Sequence, residues 1–310
     1  MRIFNSIGRL PEFSNTVFTQ GTFDGVHLGH QKILKRLKDE SLKAGGESVL
    51  LTFWPHPRLF LFPDDNGLKL LQTLEEKMDQ LEKAGVDNVV VLPFTKEFSQ
   101  MLPEDFIKDF LVNSLNIHTA IIGYDHRFGR NREGDINLLK SFEKPYNYKV
   151  LEIGPEDIDH ITISSTKIRN SLLSGDVDTA NAYLGRPYSF CGTVVHGKKL
   201  GKTIGYPTAN LDINHPNKLI PANGVYAVQC KVDGQIYGGM MNIGNNPTVP
   251  GKDFSIEVNI FDFSADIYGK VVEIFVIARI RDEKKFGNIE ELALILHLDK
   301  KNALEKILHL

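Results

Sequence analysis

Between Val17 and Phe53 the chain reads as strand, glycine turn, helix, strand, and that order constrains the fold more than any other stretch. "VFT" from Val17 and "SVLLTF" from Ser48 are β-forming runs, and "QKILKRLKDESLKA" between them places Ile33, Leu34, Leu37 and Ala44 on roughly one helical face, with Gly45 and Gly46 as its stop. A strand, a helix and a second strand make a parallel pair with a right-handed crossover, and a parallel sheet needs helices on both faces. The rhythm continues. A second helix is predicted from Thr73, with Glu76 as the acidic member of a capping box, Met78 and Leu81 inward, and Gly85 at its end. "NVVVLPF" follows as a strand, Pro103 fits the first turn of "PEDFIKDFLVNSL", and "TAIIG" and "YKVLEIG" supply further buried strands. The first half is predicted to be doubly wound α/β.

After Gly185 the alternation stops. "FCGTVV", "GVYAVQCKV", "QIYGGMMNI", "SIEVNIFDF" and "KVVEIFVIARI" are β-branched or aromatic runs separated by glycine, asparagine and proline, with an Asp-Gly hairpin signal in "VDGQ" and a closing helix in "NIEELALILHLDKKNALEKILHL". These runs predict an antiparallel barrel or sandwich. A chain of 310 residues is long enough for two cores, and the boundary falls near "AYLGRPY", giving domains of 1–182 and 183–310. The formal net charge of -3 gives no global attraction to nucleic acid or anionic membrane, so a polyanion site must be local. "MRIFNSIGRLPEF" has no secretory core and no apolar run is long enough to span a bilayer, which predicts a cytoplasmic protein. Cys191 and Cys230 lack zinc spacing and are expected to be buried free thiols.

The turn itself, "GTFDGVHLGH", carries chemistry. A glycine turn between strand and helix lets backbone N–H groups approach a phosphate, and the helix N-terminus adds a favourable dipole. His27 and His30 sit at that entrance, where imidazole donors can hold phosphate oxygens and stabilise the charge of departing pyrophosphate. Two histidines that merely cap a turn are the plain alternative. Zinc is disfavoured, because the string offers two ligands and lacks the acidic partner of HExxH. "PHP" at Pro55 adds His56 without completing a ligand pattern. "GYDHRFGRNREGD" gathers Asp125, His126, Arg127, Arg130 and Arg132 after a strand, and "ISSTKIRNSLL" opens a helix with hydroxyls and carries Lys167 and Arg169.

Taken in order, "GTFDGVHLGH", "TFWPHP", "GYDHRFGRNREGD" and "ISSTKIR" closely resemble the FMN adenylyltransferase module of prokaryotic bifunctional FAD synthetases. That resemblance implies a Rossmann-like nucleotidyltransferase domain that transfers AMP from ATP to FMN. It makes His27, His30 and Arg169 catalytic, and assigns ATP and FMN to Gly21, Phe23, Asp24, Gly29, His56, Asp125, Arg127, Ser164, Ser165 and Thr166. Trp54 stands where a smaller or polar residue is more common in the family, and His126 where phenylalanine is common.

In the second half, "GTVVHGKKLGKTIGYPTANL" twice approaches a Walker A loop and twice fails: Gly192 to Lys199 ends in lysine, and Gly197 to Thr203 is one residue short. Pro207 and the extended pattern after it also deny the helix that such a loop requires. The loop can still offer backbone donors and lysines to phosphate. Thr208 and Asn210, two apart in extended chain, face the same side and could both reach Mg²⁺, and Glu257 is a carboxylate in a β-forming run. A turn with ordinary hydrogen bonds and a solvated strand face are the plain alternatives.

The set "GKKLGKTIGYPTANL", "NGVYAV", "MMNIGNNPTV", "EVNIFDF" and "RDEKKF" resembles the riboflavin kinase module found C-terminal to the first family. It implies an antiparallel β-barrel with a C-terminal helix. Gly197, Lys202, Thr208 and Asn210 would bind ATP, the last two also Mg²⁺, while Glu257 would take the proton from the riboflavin 5′-hydroxyl and Arg281 and Phe286 would lie near flavin or the loops closing over it. The expectation is therefore a bifunctional enzyme of FAD synthesis acting on riboflavin, FMN and ATP, with Mg²⁺, without nucleic-acid or membrane partners, as a monomer or weak homo-oligomer. Its rivals are an HxGH nucleotidyltransferase for another phosphate ester, a flavin-binding regulatory protein with one silent site, and RNA binding through the Arg127 to Arg132 cluster, which the negative net charge disfavours.

Overall fold

A computed structural model describes the chain outside residues 63–66, 124–125, 155–162, 198–200, 202–204, 246–253, 285 and 310, and the side chain of residue 9. The chain forms two compact units, one of Met1–Leu68 with Leu74–Ser164 and one of Lys69–Thr73 with Ser165–Leu310.

In the first unit β1 (Arg2–Phe4), β2 (Thr16–Gln20), β3 (Ser48–Phe53), β4 (Asn88–Leu92), β5 (Ile117–Gly123) and β6 (Lys149–Ile153) form one sheet in the order β1-β4-β3-β2-β5-β6, each pair parallel. Strand alternation sends Val17, Leu50, Val89, Val91 and Ile121 to one face, where Leu34 and Leu37 of α1 (Leu28–Ala44) and Met78 and Leu81 of α2 (Leu74–Lys83) cover them. Phe18, Val49, Leu51, Val90 and Ile122 face the other way, onto Phe106, Ile107, Phe110 and Leu111 of α3 (Phe106–Ser114), a π-helical stretch. Leu37 is fully buried, and truncating it to alanine would cost about 2 to 5 kcal/mol. This is the doubly wound arrangement expected from the βαβ rhythm. The order reverses at β2, with β3 on one side and β5 on the other, and that reversal opens a crevice beyond their carboxyl ends.

Two details differ from the sequence reading. The edge strand β1 is three residues long, too short for a periodic signal. The helix expected after His30 starts at Leu28, because His27 is its N-cap and a capped first turn tolerates Gly29.

The second unit carries β7 (Tyr188–Val195), β8 (Ala209–Asp212), β9 (Gly224–Val232), β10 (Gln235–Gly244), β11 (Ser255–Ile260) and β12 (Val271–Arg281) in a closed barrel of order β10-β11-β8-β7-β12-β9. Closure selects the barrel over the sandwich. Asp233 and Gly234, at φ of 48° and 84°, make the tight β9–β10 turn that the Asp-Gly pair predicts. The helices α4 (Ser165–Ser174), α5 (Val177–Leu184) and α6 (Ile289–Leu308) complete the unit, with Leu296, Ala303 and Ile307 of α6 packed on Ala227, Met240 and Ile277 of the barrel. Lys218, 3% exposed, ties residues 69–73 to the barrel by donating to Leu71 O at 2.7 Å and to Ser189 O at 2.9 Å.

Candidate active sites

The first site lies at the reversal point. Beyond the ends of β2 and β5 a cavity of about 400 Å³ is lined by Gly21, Phe23, His30, Phe53, His126 and Arg127, among others. The loop that follows β2 is held in unusual backbone conformations, with Phe23, Gly25 and Val26 at φ of 47°, 92° and 38°. Glycine takes such a φ freely, whereas phenylalanine and valine need support from their surroundings. His27, buried, accepts the His30 backbone N–H on Nδ1 at 3.3 Å. That bond makes Nδ1 an acceptor, so the proton of the neutral ring sits on Nε2. The two imidazoles stack with centroids 3.7 Å apart, and Phe23 packs 4.9 Å from His30.

Gly21, Phe23, His30 and Arg127 of the expected set thus share one cavity, with His27 stacked against His30. Asp24 is 2% exposed, and its charge is felt by Lys77 of α2. Arg127 pairs with Asp135 at 3.0 Å. His56 caps the short helix Pro57–Leu61 by accepting the Arg58 N–H at 3.2 Å, and it is Pro57 and Leu61 of that helix that line the cavity. Asp125 lies outside the described residues. Ser164 is the last residue of the first unit. Ser165, Thr166 and Arg169 belong to the second, where Arg169 Nε donates to Lys69 O at 2.8 Å.

The second site is built on the β8–β11 pair, whose register sets Glu257 directly across from Asn210. Thr208 Oγ1 donates to Glu257 Oε2 at 3.3 Å. Both line a cavity of about 270 Å³ whose walls include Tyr206, Met240, Arg281 and Phe286. Thr208 also lines a second cavity of about 430 Å³, with Val194, Pro207, Ala209 and Tyr268. It therefore stands where two ligands could meet. Asn210 is 4% exposed, and a Cβ built on Gly197 would lie 2.0 Å from its Nδ2. Lys202 lies outside the described residues.

Arg281 is fixed by a residue the sequence reading missed. Its Nε and Nη2 donate to Asp299 of α6 at 2.9 and 2.7 Å, and its guanidinium stands 5.7 Å from the Phe286 ring centroid. Asp299 is 2% exposed. The signal was present, since Leu292, Leu296, Ala303 and Ile307 recur at helical spacing and Asp299 interrupts that apolar stripe. Lys77 was missed in the same way. It falls between Leu74 and Met78 on the inward face of α2, is 1% exposed, and has its pKa pushed down to about 8 by burial, with Asp24 opposing the fall.

The Thr208 hydroxyl, just before β8, and the Asn210 amide oxygen, two residues on, suit a hard cation such as Mg²⁺, which takes few protein ligands and completes its shell with water and phosphate. Among the described residues there is no group of three or more His, Cys, Asp or Glu side chains arranged to hold a metal, and no helix is long and apolar enough to cross a membrane.

Comparison with known proteins agrees with this geometry. The family model for FAD synthetase matches residues 10–167 and that for riboflavin kinase matches residues 184–307. The bifunctional riboflavin kinase/FMN adenylyltransferase of Bacillus subtilis (strain 168) is 38% identical over 301 residues, covering 94% of this chain and 93% of its own. The protein of the same description from Escherichia coli (strain K12) is 35% identical over 306 residues, covering 98% and 96%. Among solved structures, a chain described as a macrolide-efflux protein from Streptococcus pneumoniae matches with a TM-score of 0.88 at 32% identity, covering 96% of this chain and 97% of that one. Two catalytic modules in the same order, matched along nearly the full length of such relatives, place this chain in the family of bifunctional riboflavin kinase/FMN adenylyltransferases.

Proposed function

We propose that the chain makes FAD from riboflavin in two ATP-dependent steps, with the barrel unit phosphorylating riboflavin to FMN and the α/β unit transferring AMP from ATP to FMN with release of pyrophosphate. The observation that carries the kinase assignment is the Thr208 hydroxyl on the Glu257 carboxylate at 3.3 Å, at the junction of two cavities. Riboflavin occupies the cavity walled by Met240, Arg281 and Phe286, and Glu257 accepts the proton of its 5′-hydroxyl as that oxygen attacks the γ-phosphorus in line. Thr208 and Asn210 would hold Mg²⁺, which supplies positive charge to the transferring phosphoryl group when bound. At the other site a phosphate oxygen of FMN attacks the α-phosphorus of ATP. The P–O bond to pyrophosphate breaks, and donors on the loop, His27 Nε2 and His30 receive the charge that develops. Neither step calls for a covalent intermediate.

The functional modules are taken to divide at 182/183, a reading supported by family matches that end at 167 and resume at 184. A cytoplasmic enzyme acting on small molecules, as a monomer or weak homo-oligomer, completes the proposal. The test is to incubate the protein with riboflavin, ATP and Mg²⁺ and resolve the flavins over time. Glu257→Gln should stop FMN formation while FAD still forms from added FMN, and His30→Ala should do the reverse. Loss of both reactions in either folded variant would refute the assignment of separate sites.

A further inference from the structure

Two donors meet on one backbone carbonyl beneath the phosphate loop. Lys77 Nζ, from α2, donates to Thr22 O at 2.8 Å, and Thr52 Oγ1, from β3, donates to the same oxygen at 3.3 Å. Both residues are buried, at 1% and 0% exposed, and neither lines the cavity, whereas Thr22 and Phe23 do. The Thr22–Phe23 peptide is trans, so its C=O and N–H point in opposite directions. Holding the oxygen toward Lys77 and Thr52 turns the Phe23 N–H away from them. Among the described residues neither the Thr22 nor the Phe23 N–H donates to a protein group, although Phe23 is 1% exposed. A buried backbone donor that no protein group satisfies is uncommon, and it is open to an acceptor from outside the chain, a phosphate oxygen among them. Phe23 is also held at φ 47°, a conformation that its own side chain does not favour and that an external clamp must maintain.

We propose that Lys77 and Thr52 are positioning residues for adenylyl transfer: by gripping the Thr22 carbonyl from behind, they aim the Phe23 N–H at the ATP phosphates. This rests on reading the cavity as the ATP site. With the peptide flipped, the Thr22 carbonyl would face the polyphosphate, replacing a donor by a repelling acceptor. An ammonium grips a carbonyl more tightly than a neutral donor, and Lys77 keeps its proton at neutral pH even though burial pulls its pKa down to about 8.

The test uses the intact bifunctional protein and three variants, Lys77→Met, Thr52→Val and Thr52→Ser, with riboflavin phosphorylation in the same sample as the control for a folded second unit. Removing a direct transition-state donor lowers kcat by about 100-fold or more, so a misaimed one should lower it by at least about 10-fold in Lys77→Met and about threefold in Thr52→Val. The KM for FMN should stay within about twofold, and Thr52→Ser, which keeps the hydroxyl, should stay within about twofold of the parent rate. The proposal is overturned if Lys77→Met and Thr52→Val keep the parent rate, or if Thr52→Ser falls as far as Thr52→Val. Should Lys77→Met melt below the assay temperature, the Thr52 pair decides by itself. A parent protein that makes no FAD from FMN and ATP would instead refute the ATP-site reading.

Discussion

Replacing Lys77 by methionine should change how the stability of the first unit depends on pH, in a direction and amount set by one buried charge. Burial lowers the Lys77 pKa from 10.5 to about 8 in the folded protein, and at about 1.4 kcal/mol per tenfold change this fall corresponds to about 3 kcal/mol. Below pH 8 both folded and unfolded chains carry the proton, and the folded state bears the whole cost of the buried ammonium. Between pH 8 and 10.5 the unfolded chain holds the proton and the folded one has released it, so stability rises with pH. Above 10.5 both are neutral and the cost is gone. Lys77→Met removes this contribution and leaves all other titrations in place. The unfolding free energy of the parent minus that of the variant should therefore climb by about 3 kcal/mol from pH 7 to pH 10.5. Urea titrations followed by tryptophan fluorescence isolate the unit concerned, because Trp54 is the chain's single tryptophan and its ring centroid lies 5.4 Å from Lys77 Nζ. A difference that stays flat across this range would refute the claim that Lys77 is a desolvated cation.

Three further outcomes are expected. Gly197→Ala would drive a methyl to 2.0 Å from the Asn210 amide nitrogen; riboflavin phosphorylation should fall by at least about 10-fold, with FAD formation from FMN unchanged, as initial rates of the two reactions would show. Asp299→Asn removes the buried partner of Arg281, which is 25% exposed and can turn to water; chemical denaturation of the second unit should show a loss of about 2 kcal/mol, below the full cost of stranding a buried charge, and the KM for riboflavin should rise. Cys230 is fully buried, with its thiol pushed up to about 12 by desolvation; iodoacetamide at pH 8 should leave it unmodified in the native protein and label it after denaturation, as mass spectrometry of its peptide would detect.

Much of this protein is legible in its sequence, for identifiable reasons. The alternation of β-forming runs with amphipathic helices pointed to a parallel sheet buried under helices, and Asp233-Gly234 pointed to a tight hairpin. The loop glycines, the paired histidines, and the company of Thr208, Asn210 and Glu257 were readable because local chemistry demands those residue types. What the tertiary structure decided concerns partners far apart in the chain. It closed six strands into a barrel where alternation allowed either a barrel or a sandwich, and it set Glu257 across from Asn210 through strand register. It also turned two charges on apolar helix faces, Lys77 and Asp299, into supports for a loop 55 residues away and an arginine 18 residues away. A sequence records that a charge interrupts an apolar stripe. Which carbonyl or guanidinium repays its desolvation is fixed only when the elements pack, because a hydrogen bond depends on distances that no local pattern encodes.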